Sequence, residues 1–221
     1  MKKLWTWLLA AALLITGCAV QGNTARAAGN GEPEERVSGD FTYTLNDSGE
    51  AVITGYSGND SELTVPDKVD EYPVAEIGAE AFSGCYNLTG ITLLEGLQSI
   101  GDQAFFECES LTGITLPKGL QSIGDYAFFS CGSLTSMTLP EGLQSIGDRA
   151  FSNCKNLTSM TLPEGLQSIG VEAFSFCNSL TGITLPDSVE TMGGNPFVGT
   201  KAELLLSPDH PRFALVDGML I

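Results

Sequence analysis

The chain has 221 residues, with 27 Asp and Glu against 10 Lys and Arg, a formal net charge of −17 and a pI near 4.1. That acidity repels phosphate backbones and argues against nucleic acid as a partner, while it suits a soluble surface protein. The length is ample for one continuous core, so one domain plus a tether is expected.

The N-terminus opens with Met1-Lys2-Lys3 and an apolar run from Leu4 to Ile15. A short basic region before a short apolar run is a secretory signal, too short for a permanent membrane-spanning helix. Ile15-Thr16-Gly17-Cys18 resembles a bacterial lipobox, which assigns 1–17 to a lipoprotein signal peptide and Cys18 to lipid attachment. Ala25-Arg26-Ala27 is a rival cleavage site that would instead give a secreted protein. Residues 18–37 are polar and lack apolar period, and read as a flexible tether. Residues 38–62 read as an N-terminal β cap, because Phe41–Leu45 and Ala51–Thr54 alternate around Asn46-Asp47-Ser48-Gly49, a hairpin signal.

Residues 63–221 form a repeat region with a C-terminal strand cap. Cys85, Cys108, Cys131, Cys154 and Cys177 each follow the last by 23 residues. A fixed period of that length marks a solenoid, whose units bury their apolar sides only against their neighbours. About six coils are expected. In the copy Leu111–Ser133 (LTGITLPKGLQSIGDYAFFSCGS), Ile114-Thr115-Leu116 alternates as a half-buried strand, and Pro117 ends it. Leu120–Ile123 reads as a second extended piece, Gly124 as a sharp turn, and Asp125 as the cap of a single helical or 3₁₀ turn over Tyr126–Ser130. Stacking predicts a buried column of Phe82, Phe105, Phe128, Phe151, Phe174 and Phe197 beside a column of alanines. In the last copy Pro196 and Thr200 replace the Ala and the Cys, and an apolar C-terminal edge at Met219–Ile221 would invite pairing with another chain.

The pattern L-T-x-I-T-L-P…L-x-S-I-G-D-x-A-F-x-x-C, with the lead-in VDEYPVAEIGAEAFSGC at Val69–Cys85, resembles the BspA-type leucine-rich repeat family. The resemblance covers about Phe41 to the C-terminus. It implies an α/β repeat, a right-handed leucine-rich-repeat solenoid, and a protein displayed on or secreted from microbial cells, with adhesion or host interaction as the common role.

Each chemical candidate has a structural alternative. The cysteine column cannot make a tetrahedral metal site, because one thiol per coil gives a line of sulfurs about 5 Å apart. The thiols read as inert buried hydrophobes, with bridging between coils left open. Thr92, Thr115, Thr138, Thr161 and Thr184 point outward from the first strand, either as a recognition strip or because threonine favours strands. Gln98, Gln121, Gln144 and Gln167 form another outward column. Tyr86, Phe106, Tyr126, Phe129 and Phe176 stand where other copies carry mostly small or polar residues, and read as a contact surface or as cover for the core. Asp102, Asp125 and Asp148 are helix caps or, less simply, a cation site. His210 is the only histidine, and no nucleophile, Walker-type or zinc-protease motif occurs. The reading is therefore a non-catalytic binding module at the cell surface or envelope, without cofactor or metal. It would be anchored to a membrane through lipid, with an extracellular protein or glycan as partner. The alternative is a structural spacer self-associating at its C-terminal edge.

Overall fold

A computed structural model describes residues 33–206 and 210–213, and the backbone of 215–216 and 219–220. The signal peptide and Cys18 lie outside the described residues. Arg36–Ser38 (β1), two of whose residues fall in the stretch read as tether, pairs antiparallel with Phe41–Leu45 (β2). β2 in turn pairs antiparallel with Ala51–Tyr56 (β3). The turn between them is held by the Asn46 side chain, whose Oδ1 accepts the N–H groups of Ser48 at 3.0 Å and Glu50 at 2.9 Å. This is how asparagine stabilises a turn while the backbone reverses.

The coils begin at Glu62–Thr64 (β4), Lys68–Val69 (β5) and Tyr72–Ile77 (β6). Each later coil adds one three-residue and one two-residue strand. These are Gly90–Thr92 (β7) and Ser99–Ile100 (β8), then Gly113–Thr115 (β9) and Ser122–Ile123 (β10). Next come Ser136–Thr138 (β11) and Ser145–Ile146 (β12), then Ser159–Thr161 (β13) and Ser168–Ile169 (β14). Gly182–Thr184 (β15), Thr191–Met192 (β16) and Glu203–Leu205 (β17) follow, and Leu215–Val216 (β18) pairs antiparallel with Met219–Leu220 (β19). Seven first strands, β4 through β17, make about seven turns, one more than the sequence copies suggest. The second strands form one parallel face, β6-β8-β10-β12-β14-β16, and β3 joins its end in parallel with β6. The hairpin thus continues the second face.

The core is one column per repeat position. Phe82, Phe105, Phe128, Phe151 and Phe174 are fully buried and stack at centroid spacings of 5.1–5.4 Å with interplanar angles of 4–5°. Phe197 ends the stack at 5.5 Å. At the other end Tyr56 lies 5.5 Å from Phe82 and Phe41 lies 5.3 Å from Tyr56, so the hairpin prolongs the aromatic column. Tyr43, also buried, donates its hydroxyl to Asp70 Oδ2 at 2.6 Å, and Ser38 donates to Asp70 Oδ1 at 2.7 Å, which fastens hairpin to coil.

The third side corrects the α/β expectation. No helix occurs among the described residues. Tyr126–Ser130, expected as a helical turn, is a run of tight turns with left-handed φ at both ends, 56° and 59°. Gln103 and Glu107, Arg149 and Asn153, and Glu172 and Phe176 repeat the pattern. A left-handed residue turns the next peptide over, so successive N–H groups cannot all point along one axis. They alternate instead. Ala104 and Phe106 donate within the coil, to Gly101 and Gln103, whereas Gln103, Phe105 and Glu107 donate across to Asp125, Ala127 and Phe129 of the next coil, each at 2.8 Å. Left-handed residues other than glycine cost about 1–2 kcal/mol each, and the inter-coil hydrogen bonds offset that cost.

With no helix to cap, the aspartates do something else. Asp102 Oδ1 accepts the N–H of Asp125 at 2.8 Å, Asp125 Oδ1 that of Asp148 at 2.6 Å, and Asp148 Oδ1 that of Val171 at 2.6 Å. The expected cap is a coil-to-coil tie. Gly124 leads directly into the turn run, and what it supplies there is room rather than a left-handed φ. A Cβ there would sit 2.5 Å from Asp102 Oδ1 and 2.8 Å from the Asp102 nitrogen.

Candidate functional site

The first-strand face carries the candidate site. The outward threonines alternate with Ile or Met and Leu that turn inward, because successive strand side chains face opposite sides. Thr115, Thr138, Thr161 and Thr184 are exposed and Thr92 is half-exposed. Thr92, Thr115 and Thr138 line one open groove of about 710 Å³, together with Glu62, Lys118 and Pro140, whereas Thr161 and Thr184 lie beyond it.

The groove coincides with an interruption. β4-β7-β9 form one ladder, β11-β13 another and β15-β17 a third, so pairing is interrupted between β9 and β11 and again between β13 and β15. Both interruptions fall where a Gly-Ile-Thr coil meets a Ser-Met-Thr coil, and the groove lies at the β9/β11 one. There the inward side chains are not sealed. Ile114 and Leu116 are only partly buried, while their equivalents Ile91, Met137, Met160 and Ile183, and Leu93, Leu139, Leu162 and Leu185, are all 6% exposed or less. A strip of hydroxyls is therefore broken by apolar surface at one place, which combines orienting hydrogen-bond groups with area to bury. The sequence singled out the threonines but missed Ile114 and Leu116. The switch between repeat variants was the one visible signal.

The other candidates fall elsewhere. Of the predicted aromatic contacts, Phe106, Tyr126 and Phe129 come together on the turn side, while Phe176 stands apart, half exposed, with its ring against Gly199. The outward glutamines are exposed. The His210 side chain is enclosed, its Nε2 3.2 Å from the Pro186 carbonyl oxygen and 4.0 Å from Asp187 Oδ1. Among the described residues, no group of three His, Cys, Asp or Glu is placed to hold a metal ion.

Cys108, Cys131, Cys154 and Cys177 are free and buried, with Cys85 at the head of their column. Each of the four thiols donates to the carbonyl of a phenylalanine in the preceding coil: Cys108 to Phe82, Cys131 to Phe105, Cys154 to Phe128 and Cys177 to Phe151, at 3.0–3.2 Å. In the last coil Thr200 bonds instead to Phe197 of its own turn, at 2.9 Å. Burial pushes Cys108 and Cys177 up to about 12 and Cys131 and Cys154 well above their ordinary value of 9.0. These thiols are inert in the folded protein. Iodoacetamide at about pH 8 is expected to leave all four unmodified, and to modify all four in concentrated guanidinium, as read by peptide mass spectrometry. The unfolded chain loses these protons first as pH rises. Stability should hold below pH 9.0 and fall between there and about 12, by roughly 1 kcal/mol per pH unit per thiol. Equal denaturation midpoints at about pH 8 and pH 10.5 would contradict this.

The BspA-type leucine-rich repeat model matches residues 75–203 in six copies, more than half the chain. The chain belongs to the BspA-type leucine-rich repeat family. Its solenoid is similar to the leucine-rich repeat protein of T. pallidum, with 31% identity over 75% of this chain and 89% of that one, at a TM-score of 0.69. It is also similar to a leucine-rich cell surface protein of Faecalibacterium prausnitzii, with 30% identity over 86% of this chain and a TM-score of 0.74. The pneumococcal vaccine antigen PcpA matches at 25% identity over 86% of this chain and a TM-score of 0.71. The chain spans 58% and 54% of the length of the latter two. No curated protein matches it.

Proposed function

We propose that this BspA-type protein is a non-catalytic binding module held at the cell surface or envelope, with an extracellular protein or glycan as its partner. It would be anchored through lipid on Cys18, with the hairpin closing the N-terminal end of the solenoid. The family membership and the surface setting of the F. prausnitzii relative support that reading. The observation that carries it is the groove at the β9/β11 interruption, where Ile114 and Leu116 lie open between Thr92, Thr115 and Thr138.

The test is binding of the chain from residue 33 onward to arrays of extracellular-matrix proteins and glycans. Saturable binding by the wild type that Thr115→Arg abolishes, with unchanged melting, is the expected result. Binding untouched by Thr115→Arg moves the site off this face. One observation favours the structural-spacer reading. Among the described residues β17 is the last first-strand of the row, and Leu205 on it is 48% exposed. That reading requires concentration-dependent oligomers, seen by light scattering and removed by Leu205→Lys.

A further inference from the structure

The turn side carries an aromatic run that the core does not require. Phe106 and Phe129 occupy the repeat position held in the next two coils by Ser152 and Ser175. There the scaffold closes over serine. Ser152 is 3% exposed and Ser175 is 0% exposed, and Ser175 Oγ donates to Ser152 Oγ at 2.7 Å. A ring at this position is therefore not needed to seal the solenoid. Phe106 and Phe129 nonetheless stack on each other at 5.1 Å and 8°, and both remain half-buried.

Tyr126 leans on Phe129 at 5.7 Å and 54°. Its far side is held by Arg149, which donates to the Tyr126 hydroxyl at 2.7 Å and to Glu172 Oε2 at 2.8 Å. The three rings are thus fixed before any partner arrives, so few rotamers are lost on docking. The charge around them is one-sided. Arg149 is already matched by Glu172. Glu80 and Glu107 occupy left-handed positions of the same turn rows and take part in no ion pair among the described residues. Arg149 already sits over the Tyr126 ring, 5.7 Å from its centroid, and the half-buried rings of Phe106 and Phe129 and the unmatched carboxylates attract further cations, in a chain whose net charge is −17.

We propose that the Phe106–Phe129–Tyr126 run, with Glu80 and Glu107 on the same turn side, is a second docking surface, separate from the groove, and that its occupant is a lysine- or arginine-bearing segment of a partner protein. The apolar stems of such side chains lie along the rings while the heads meet the carboxylates.

The test uses the chain from residue 33 onward and two labelled peptides of equal length, one alternating Lys with Leu and one alternating Glu with Leu, read by fluorescence anisotropy. The Phe106→Ser/Phe129→Ser variant leaves the net charge unchanged and uses the residue the fold already accepts there. Saturable binding of the Lys/Leu peptide alone, weakened about tenfold in that variant, is expected. Glu107→Gln, which keeps both rings, should weaken it as well, and Thr115→Arg in the groove should not. Equal affinity for wild type and the double serine variant would reduce the attraction to general acidity and overturn the proposal. So would absence of saturable binding, or a loss with Thr115→Arg equal to that with the serine variant.

Discussion

Gly147→Ala is expected to lower stability by about 3 kcal/mol or more, at the upper end for added core volume. The Cβ would lie 2.5 Å from the carbonyl carbon of Gly124 and 2.6 Å from the nitrogen of Asp125. Most overpacking is relieved by side chains changing rotamer, but both of these atoms are backbone. Neither can move without opening the spacing between coils, which would lengthen the Gly147 N–H bond to Ile123 (2.8 Å) and the tie from Asp148 N–H to Asp125 Oδ1 (2.6 Å). Gly113→Ala is the control: a Cβ there meets nothing within 4 Å, and its effect should stay within about 0.5 kcal/mol. A denaturant titration in which both variants shift by less than about 1 kcal/mol would mean that the coil spacing is soft.

Phe128→Ala is expected to cost about 3–5 kcal/mol, the range for a core phenylalanine. The ring is fully buried between Phe105 at 5.1 Å and Phe151 at 5.2 Å. Its neighbour in the chain, Ala127, is as small as the replacement, so no adjacent side chain can fill the void. The backbone above and below is tied by the Phe128 N–H to Ala150 carbonyl bond at 2.7 Å, which hinders collapse. A loss under about 1 kcal/mol would show that the coils close up after all.

The period of the cysteines made the solenoid legible, because every buried column consists of residues 23 apart. The Phe column followed from that spacing, and the strand read from the alternation of Ile114-Thr115-Leu116 stands one residue earlier, at Gly113–Thr115. The turn side was misread for a physical reason. Left-handed backbone normally announces itself through Gly or Asn, yet here Gln103, Glu107, Tyr126 and Arg149 adopt it, under the pull of hydrogen bonds to a neighbouring coil. Local propensity cannot register a bond to a residue 22 positions away. The aspartates failed for the same reason: Asp125 before a short turn has the grammar of a cap, while its acceptor role runs to Asp148. Tyr56 and Phe41 stayed out of the aromatic column because they lie outside the repeat. The groove's threonines were legible as outward-facing. The gap between β9 and β11 was not, since it depends on how an Ile coil meets a Met coil.

The even stacking of the phenylalanine rings, at 5.1–5.5 Å from coil to coil, has an evolutionary consequence. Duplicating or deleting one whole unit of 23 residues changes the reach of the molecule by a single ring spacing and leaves every inward residue opposite its own kind. An odd-length insertion within a strand would turn its threonine inward, whereas the turns absorb other lengths, as in the 28 residues from Glu62 to Gly90 and the 21 from Gly182 to Glu203, which stay in register. Length can therefore drift freely in whole units while the interior stays the same, and two outward patches can be moved apart or together without any new packing having to arise.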